Sequence, residues 1–172
     1  LAFLSFAEVD AEGSVNVSRF NGRIIGVGGF INISQHTKKM VFGGAFTAGE
    51  VDITWPAGKT QINREGKFNK FVDRLEQVSY NGQFARERNQ EALYITERAV
   101  FRRGDQGLVL TEIAPNIDIQ RDILAHMGFK PHIAPDLKTM DARLFRDEPM
   151  GLAADLSGKQ PCNIPARLKK MD

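Results

Sequence analysis

The stretch Gly26-Val27-Gly28-Gly29-Phe30 places three glycines within four residues, and the elements of the predicted fold are arranged around it. Glycine lacks a Cβ atom, so this loop can adopt positive φ and leave its backbone N–H groups uncovered. Uncovered amides can stabilise the negative charge that develops on a carbonyl oxygen under nucleophilic attack. The stretch therefore predicts an oxyanion hole at Gly28 and Gly29. The structural alternative is a turn that only packs a helix against a strand.

A dinucleotide-binding loop is a further interpretation of these glycines. The G-x-G-x-x-G pattern that cradles a pyrophosphate would need glycine at position 31, and this sequence has Ile31 there. We therefore set a nicotinamide or flavin site aside.

Periodic segments on both sides of the loop predict an α/β order. The apolar run at 1–6 predicts a buried strand, and the alternation at 15–18 predicts a short strand with polar side chains on one face. After the loop, residues 30–38 have the pattern of a short helix, and residues 40–42 begin another buried strand. A strand, a glycine loop, a helix and a strand in this order are typical of an α/β layer with a partly parallel sheet.

The middle of the sequence has alternating patterns that are typical of antiparallel hairpins. Residues 51–55 alternate, turn, and return at 60–65. Residues 93–101 are predicted as a single strand, and 108–110 runs back beside it. The segment 68–75 is ambiguous between strand and helix, because its periodicity does not separate the two.

The clearest predicted helix covers residues 118–127. Asp118 is a suitable N-cap, and Gly128 followed by a proline ends the apolar pattern. Beyond that helix the periodicity fades, and we predict a domain over 1–145 followed by a loosely held tail over 146–172.

Composition limits the classes of function. The chain has 172 residues with 23 basic and 21 acidic side chains, a net charge of +2, and no dense basic stripe for nucleic acid. The single cysteine, Cys162, excludes an intrachain disulfide framework and favours a reducing compartment. His126 and His132 lack ligand spacing, so we expect no metal site. No apolar run reaches the roughly 18 residues of a membrane span, and the expected location is the cytoplasm, or an organelle matrix if a presequence is missing.

Several segments together resemble the C-terminal part of family I CoA-transferases, which include the propionate, acetate and 3-ketoacid enzymes. The matching segments occur in the family's order at residues 6–10, 13–18, 26–33, 38–42, 46–49, 94–101, 122–127 and 129–131. The resemblance implies an α/β fold with an open mixed sheet of the CoA-transferase (NagB/RpiA-like) type and an antiparallel hairpin portion. Because Leu1 already lies inside an apolar run and is not a methionine, we expect a downstream piece of a longer protein.

The resemblance also implies covalent catalysis. In the family, a glutamate attacks an acyl-CoA thioester, and a glutamyl-CoA thioester follows by ping-pong kinetics. That glutamate lies in a Glu-x-Gly motif upstream of the glycine loop, and neither Glu8 nor Glu12 fits the motif. The nucleophile is therefore expected on another segment, and this chain alone is expected to be inactive.

The same resemblance implies partners. These are acyl-CoA and short-chain carboxylates, the N-terminal remainder of the enzyme, and sister subunits in a homo-oligomer. Coenzyme A would be a substrate and no cofactor would be tightly bound.

Candidate site residues follow from the pattern and the resemblance together. Asn16 would orient the glutamate or the substrate, unless it is an ordinary solvent-facing strand position. Gly26, Val27, Phe30 and Lys38 are candidates for binding substrate or CoA. The simpler reading of Phe30 is a packing residue, and that of Lys38 is a solvated helix end.

Two other features of the sequence complete the predictions. Glu97 and Arg98 are expected to form structural ion pairs. Two further functions stay open, a related acyl-CoA hydrolase and a non-catalytic module that associates with an acyl-CoA enzyme.

Overall fold

The chain alternates short strands with a few short helices in a computed structural model that describes residues 1–157 and Lys159. The strands are β1 Ala2–Ser5, β2 Glu8–Val9, β3 Val15–Asn16, β4 Arg19–Phe20, β5 Arg23–Ile24, β6 Lys39–Gly43, β7 Thr47–Ala48, β8 Asp52–Thr54, β9 Gln61–Arg64, β10 Phe68–Asn69, β11 Glu91–Ile95, β12 Ala99–Gly104, β13 Gly107–Ile113 and β14 His132–Thr139. The α-helices are α1 Phe30–His36, α2 Gly82–Glu87 and α3 Leu152–Leu156. A π-helical turn covers Ile119–Ile123, and 3-10 turns cover Pro56–Gly58, Leu124–His126 and Ala142–Phe145.

A six-stranded mixed sheet in the order β1-β6-β11-β12-β13-β14 organises the fold. Strands β1, β6 and β11 run parallel, β12 is antiparallel to both β11 and β13, and β14 is parallel to β13. The register places Phe3 opposite Val41, and Val41 opposite Leu93. The predicted class, an α/β fold with an open mixed sheet and an antiparallel portion, is confirmed.

One face of this sheet carries the hydrophobic core. Successive side chains of a strand point to opposite faces, so Phe42, Tyr94 and Phe101 share the core face. Helices α1 and α2 lie on this side, since Phe30 of α1 stacks on Phe42 with ring centroids 6.0 Å apart, and Ala85 of α2 is buried in the same cluster. The parallel crossovers therefore cover one side of the sheet.

The second face of the sheet is covered only in part. The 3-10 turn Ala142–Phe145 and Trp55 border a cavity of about 570 Å³ that lies over Leu93, Ile95 and Val100. Towards β1 the cover ends, and Phe3 is 70% exposed. The predicted buried strand at 1–6 is therefore wrong in its burial, because β1 is an edge strand with one open face.

The predicted single strand at 93–101 is also wrong. Strand β11 ends at Ile95 and β12 begins at Ala99, with a bend in which the Thr96 hydroxyl accepts from the Ala99 amide at 2.9 Å. The predicted hairpin over 51–65 is confirmed as β8 and β9, and the helix at 30–38 as α1.

Two further segments differ from the predictions. The 118–127 segment is a π turn followed by a 3-10 turn rather than an α-helix, although the Asp118 carboxylate does accept from the Arg121 amide as an N-cap. The ambiguous segment 68–75 forms the short strand β10 and a bridge from Phe71 to Val9.

The predicted boundary at residue 145 is followed by α3. The Arg143 guanidinium contacts the Asp155 carboxylate at 2.8 Å, which ties α3 to the preceding turn. Residues 158 and 160–172 of the predicted tail, with Cys162, lie outside the described residues. Among the residues that are described, no helix is long and apolar enough to cross a membrane.

Candidate functional site at the glycine loop

The glycine loop between β5 and α1 has a backbone that explains its composition. Gly26 and Gly28 have φ of +95° and +51°, in the region where a side chain is strained. Gly29 has an ordinary φ of −84° and is the residue that precedes the first turn of α1. A Cβ atom added at Gly26 or Gly28 would meet nothing within 4 Å. The loop is therefore open on its outer side.

Some backbone amides of the loop donate hydrogen bonds within the described residues, and others do not. Those of Ile25 and Gly26 donate to the Ser18 carbonyl at 2.7 and 3.3 Å, which ties the base of the loop. The amides of Gly28 and Gly29 donate to no acceptor among the described residues. Two adjacent N–H groups without partners, on exposed glycines, are able to bind an oxyanion.

Two hydrophobic side chains anchor the loop. Phe30 is buried against Phe42, and Val27 is half-buried against the same core. The Val27 carbonyl accepts from the Phe30 amide at 3.0 Å, which closes the last turn of the loop. The structure thus makes Phe30 a packing residue, while its predicted contact with substrate or CoA stays a prediction. Its burial holds Gly28 and Gly29 at the surface.

Asn16 is fully buried, so the predicted alternative of a solvent-facing strand position is wrong. Its amide nitrogen donates to the Glu8 carboxylate at 2.8 Å and to the Arg19 carbonyl at 2.7 Å. Its carbonyl oxygen accepts from the amides of Ser18 and Arg19 at 3.0 and 3.2 Å. These bonds use the full capacity of the side chain. Asn16 therefore shapes the turn that leads to the glycine loop, and its amide is not free to orient a substrate.

A small three-stranded arrangement surrounds Asn16. Strand β2 pairs with β3 on one side and bridges Phe71 on the other, and Val9, Val15 and Phe71 all face the core. Alternation then places Glu8, Asn16 and Lys70 together on the opposite side. The sequence analysis missed Lys70, because a lysine in a polar segment is usually solvated and its partner strand lies far away in the chain.

Lys70 is 9% exposed, and its ammonium lies 3.9 Å from the centroid of the Phe6 ring. Burial lowers the pKa of Lys70 to about 8, although the negative charge of Glu97 counteracts part of that effect.

A buried guanidinium lies near the same end of the sheet. Arg98 contacts both Glu65 carboxylate oxygens at 2.6 and 3.1 Å, the Glu97 carboxylate at 2.7 Å and the Asp122 carbonyl at 3.1 Å. Glu97 in turn accepts from the Phe46 amide at 2.9 Å. The predicted structural ion pairs of Glu97 and Arg98 are confirmed. Glu65 was missed, since nothing in the sequence links it to a residue so far along the chain.

Lys38 lies beyond the C-terminal end of α1, whereas the glycine loop precedes its N-terminus. A seven-residue helix is about 10 Å long, so the structure does not bring Lys38 to the loop. Lys38 borders a separate cavity of about 350 Å³ together with His36 and Arg88. Its neighbour Lys39 is paired with Glu91 at 3.0 Å.

A third cavity, of about 590 Å³, lies at the carboxyl ends of β6 and β11 beside Gly44 and Glu97. The glycine loop lines none of these three cavities. Within residues 1–157 and Lys159, no three His, Cys, Asp or Glu side chains group so as to hold a metal ion.

We next compared the chain with protein families, curated proteins and solved structures. No family model matches the chain. Acetate CoA-transferase YdiF of Escherichia coli (strain K12) is 50% identical over 151 residues, which cover 88% of this chain and 28% of the relative. Caffeate CoA-transferase of Acetobacterium woodii is 46% identical over 158 residues, covering 88% of this chain and 30% of that protein.

The crystal structure of acyl-CoA transferase YdiF from E. coli O157:H7, as a thioester complex with CoA, matches with a TM-score of 0.84. The identity is 50%, over 87% of this chain and 29% of that one. The chain is thus similar to a part of these CoA-transferases, and the predicted resemblance to CoA-transferases is confirmed. It spans less than a third of the length of these relatives.

Proposed function

We propose that this protein is part of an acyl-CoA:carboxylate CoA-transferase and supplies its oxyanion-binding loop. The single observation that carries the proposal is the pair of free amides at Gly28 and Gly29, held at the surface by the buried Phe30. The identity to acetate and caffeate CoA-transferases supports the class of reaction. Coenzyme A enters as a substrate, and short-chain carboxylates are the acids exchanged.

The proposed chemistry proceeds by covalent catalysis. A glutamate carboxylate attacks the thioester carbonyl of acyl-CoA, forming an acyl-glutamyl anhydride and releasing the CoA thiolate. The thiolate then attacks the glutamyl carbonyl, which gives a glutamyl-CoA thioester and the free carboxylate of the first acid. A second carboxylate reverses both steps and leaves as a new acyl-CoA. Each addition places a negative charge on a carbonyl oxygen, where the Gly28 and Gly29 amides would donate.

The glutamate of this scheme comes from outside the described chain. Glu8 is bonded to the Asn16 amide, and Glu12 is an exposed turn residue 3.4 Å from Arg86. We propose that the segment carrying the nucleophile packs on the open face of the sheet at β1, where Phe3 is exposed. Parallel sheets are normally covered on both faces, which supports this placement.

Asn16 and Lys38 take supporting roles in the proposal. Asn16 acts as a positioning residue, because its four hydrogen bonds fix the turn that supports the glycine loop. Lys38 is at the far end of α1, and we propose that it meets the phosphates of CoA, since CoA is long enough to reach past a short helix. Its side chain has no ion-pair partner among the described residues, in contrast to Lys39.

Two substitutions at one position test the loop in the complete enzyme. Gly29→Pro removes the amide proton and suits the φ of −84°. Gly29→Ala keeps that proton, and its Cβ would make only an ordinary contact of 3.6 Å with Ile33. We expect Gly29→Pro to lower kcat by about 10²–10³, the usual cost of one oxyanion-hole donor, and Gly29→Ala to lower it by less than about tenfold.

The same preparations are incubated with acyl-CoA and then with borohydride or hydroxylamine, which trap or cleave an enzyme-bound thioester. Equal turnover of the two variants would remove the Gly29 amide from the mechanism. Absence of any adduct in the unmodified enzyme would exclude the covalent route.

A further inference from the structure

The ammonium of Lys70 is a buried cation without a counter-charge in contact. The side chain is more than nine-tenths buried, and within the described residues it makes no hydrogen bond and no ion pair within 4 Å. Its one close partner is the face of the Phe6 ring, 3.9 Å away, which gives weaker stabilisation than a carboxylate. A buried unpaired charge destabilises a protein, and a ligand that supplies the counter-charge would offset this cost.

The absence of a side chain at Gly44 leaves space for the Lys70 ammonium. A Cβ atom at Gly44 would lie 2.9 Å from Nζ, so only glycine fits there without displacing the lysine. Gly44 also lines the cavity of about 590 Å³ at the carboxyl ends of β6 and β11. Ligands of open α/β sheets bind at the carboxyl ends of the parallel strands. The Lys70 ammonium is therefore next to Gly44, which lines the cavity where a ligand is expected.

The other residues that line this cavity indicate the chemistry of the ligand it could bind. Val51, Ile53, Trp55 and Ile95 give it an apolar side, and Glu97 gives it one negative charge. A phosphate dianion would be repelled by Glu97 and would have only one cation to bind. A carboxylate carries a single charge and can take a charge-assisted hydrogen bond from one ammonium. A short apolar chain attached to it would contact the apolar wall.

We propose that Lys70 binds the carboxylate of a small organic acid that enters the cavity beside Gly44. The identity of that acid as the acceptor of a CoA-transferase rests on the proposed function. The same carboxylate chemistry could come from a glutamate on the remainder of the enzyme, and steady-state kinetics distinguish the two sources. The ammonium holds the acid without forming a covalent bond, so no atoms are exchanged at this residue.

The test uses the complete enzyme with Lys70→Met and Lys70→Arg, and with Lys67→Met as the matched control. Lys67 is exposed and has only a loose ion pair with Glu50 at 3.6 Å. Carboxylate and acyl-CoA concentrations are varied independently. We expect Lys70→Met to raise KM for the carboxylate at least about tenfold, the cost of one charge-assisted hydrogen bond. KM for acyl-CoA should stay unchanged, since a thioester has no carboxylate at this end. Lys70→Arg should restore part of the affinity.

Each outcome decides the proposal. If Lys70→Met lowers kcat and leaves both KM values unchanged, Lys70 binds a carboxylate, but that carboxylate belongs to a glutamate of the protein and not to the substrate. Equal rises in both KM values, or no change in either, would overturn carboxylate binding. An unmodified enzyme without any CoA transfer would count against the proposed function instead. If Lys70→Met does not fold, NMR of the lysine Nζ groups in the unmodified chain decides. Acetate should then raise the pKa of Lys70, and chloride at equal ionic strength should not.

Discussion

Replacing Arg98 with methionine would remove a fully buried guanidinium that holds three parts of the chain together. Arg98 binds the Glu65 carboxylate through two nitrogens at 2.6 and 3.1 Å, and the Glu97 carboxylate at 2.7 Å. It also donates to the Asp122 carbonyl at 3.1 Å. Methionine keeps a similar apolar length and supplies none of these donors. The two carboxylates are then left mostly buried without their guanidinium partner.

The cost follows from these contacts. A hydrogen bond to a charged group contributes about 1.5–3 kcal/mol, and three such bonds to carboxylates are lost. Part of that loss is returned, because a guanidinium no longer has to be removed from water. Loss of one member of a buried ion pair costs about 3–5 kcal/mol on balance. At about 2–4 °C per kcal/mol for a chain of this size, Tm should fall by roughly 6–20 °C.

The destabilisation caused by Arg98→Met should be greater at neutral pH than in acid. Burial opposes ionisation of Glu65, but hydrogen bonds from Arg98 and the Thr47 hydroxyl outweigh it, and the pKa of Glu65 lies below its ordinary value. In the unmodified protein this carboxylate therefore stabilises the fold at neutral pH, and the stabilisation is lost as pH falls through the folded pKa. Without Arg98, burial would raise the pKa. The difference between the two proteins should be largest at neutral pH and should shrink in acid.

Urea unfolding at neutral and acidic pH measures this difference. Arg102→Met is the control, because Arg102 is an exposed arginine on β12, four residues beyond Arg98, and we expect it to change the free energy of unfolding by less than about 0.5 kcal/mol. A loss below about 1 kcal/mol for Arg98→Met at neutral pH would refute the reasoning. A loss that is the same at both pH values would refute the assignment to Glu65.

Two further predictions concern the turns that support the site. Asn16→Leu leaves a carboxylate and a carbonyl without their donors, and should cost about 2–4 kcal/mol in urea unfolding; the exposed Asn63→Leu should cost far less, and equal losses would contradict a supporting role. Gly13→Ala combines a φ of +79° with a Cβ placed 2.8 Å from the Tyr94 hydroxyl. Gly22→Ala has a φ of +74° and an empty surrounding, so it isolates the backbone strain of about 1–2 kcal/mol. Thermal unfolding should show the larger loss for Gly13→Ala, and equal losses would mean that the hydroxyl gives way freely.

Local patterns predicted the parts of the fold whose partners are close in the sequence. The hairpin over 51–65, helix α1 and the Asp118 cap each depend on residues a few positions apart, where turn chemistry and periodicity act directly. The glycine loop was also visible, because its backbone conformation needs glycine at Gly26 and Gly28. These features are encoded within single segments.

The bend between β11 and β12 could not be predicted in the same way. Apolar side chains at Leu93, Ile95, Ala99 and Phe101 keep one alternation through the bend, so the sequence shows no break in period. Arg98 lies in this bend and is fully buried, and its partner Glu65 comes directly after the distant strand β9. Propensity within one segment carries no information about such a distant partner.

The positions of the candidate site residues also depend on contacts between segments that are distant in the sequence. Asn16 and Lys70 are buried because Val9 pairs with Phe71, a contact between remote segments. A polar side chain on a short strand ordinarily faces water, and only the pairing shows that this one does not. Phe30 and Lys38 were predicted to bind substrate or CoA from the resemblance, and the structure places Phe30 in the core and Lys38 beyond the far end of α1.

The register of the parallel strands also sets an order of assembly. Ala2 pairs with Met40, and Met40 with Ala92, so each parallel contact closes a long loop at a high entropic cost. The turn between β12 and β13 closes over a few residues and can form early. During synthesis, β6 can pair with β1 as soon as it emerges, whereas its pairing with β11 must wait until that later strand has left the ribosome. The glycine loop lies between β1 and β6 in the chain, so its two ends are held in place only after that long-range pair has formed.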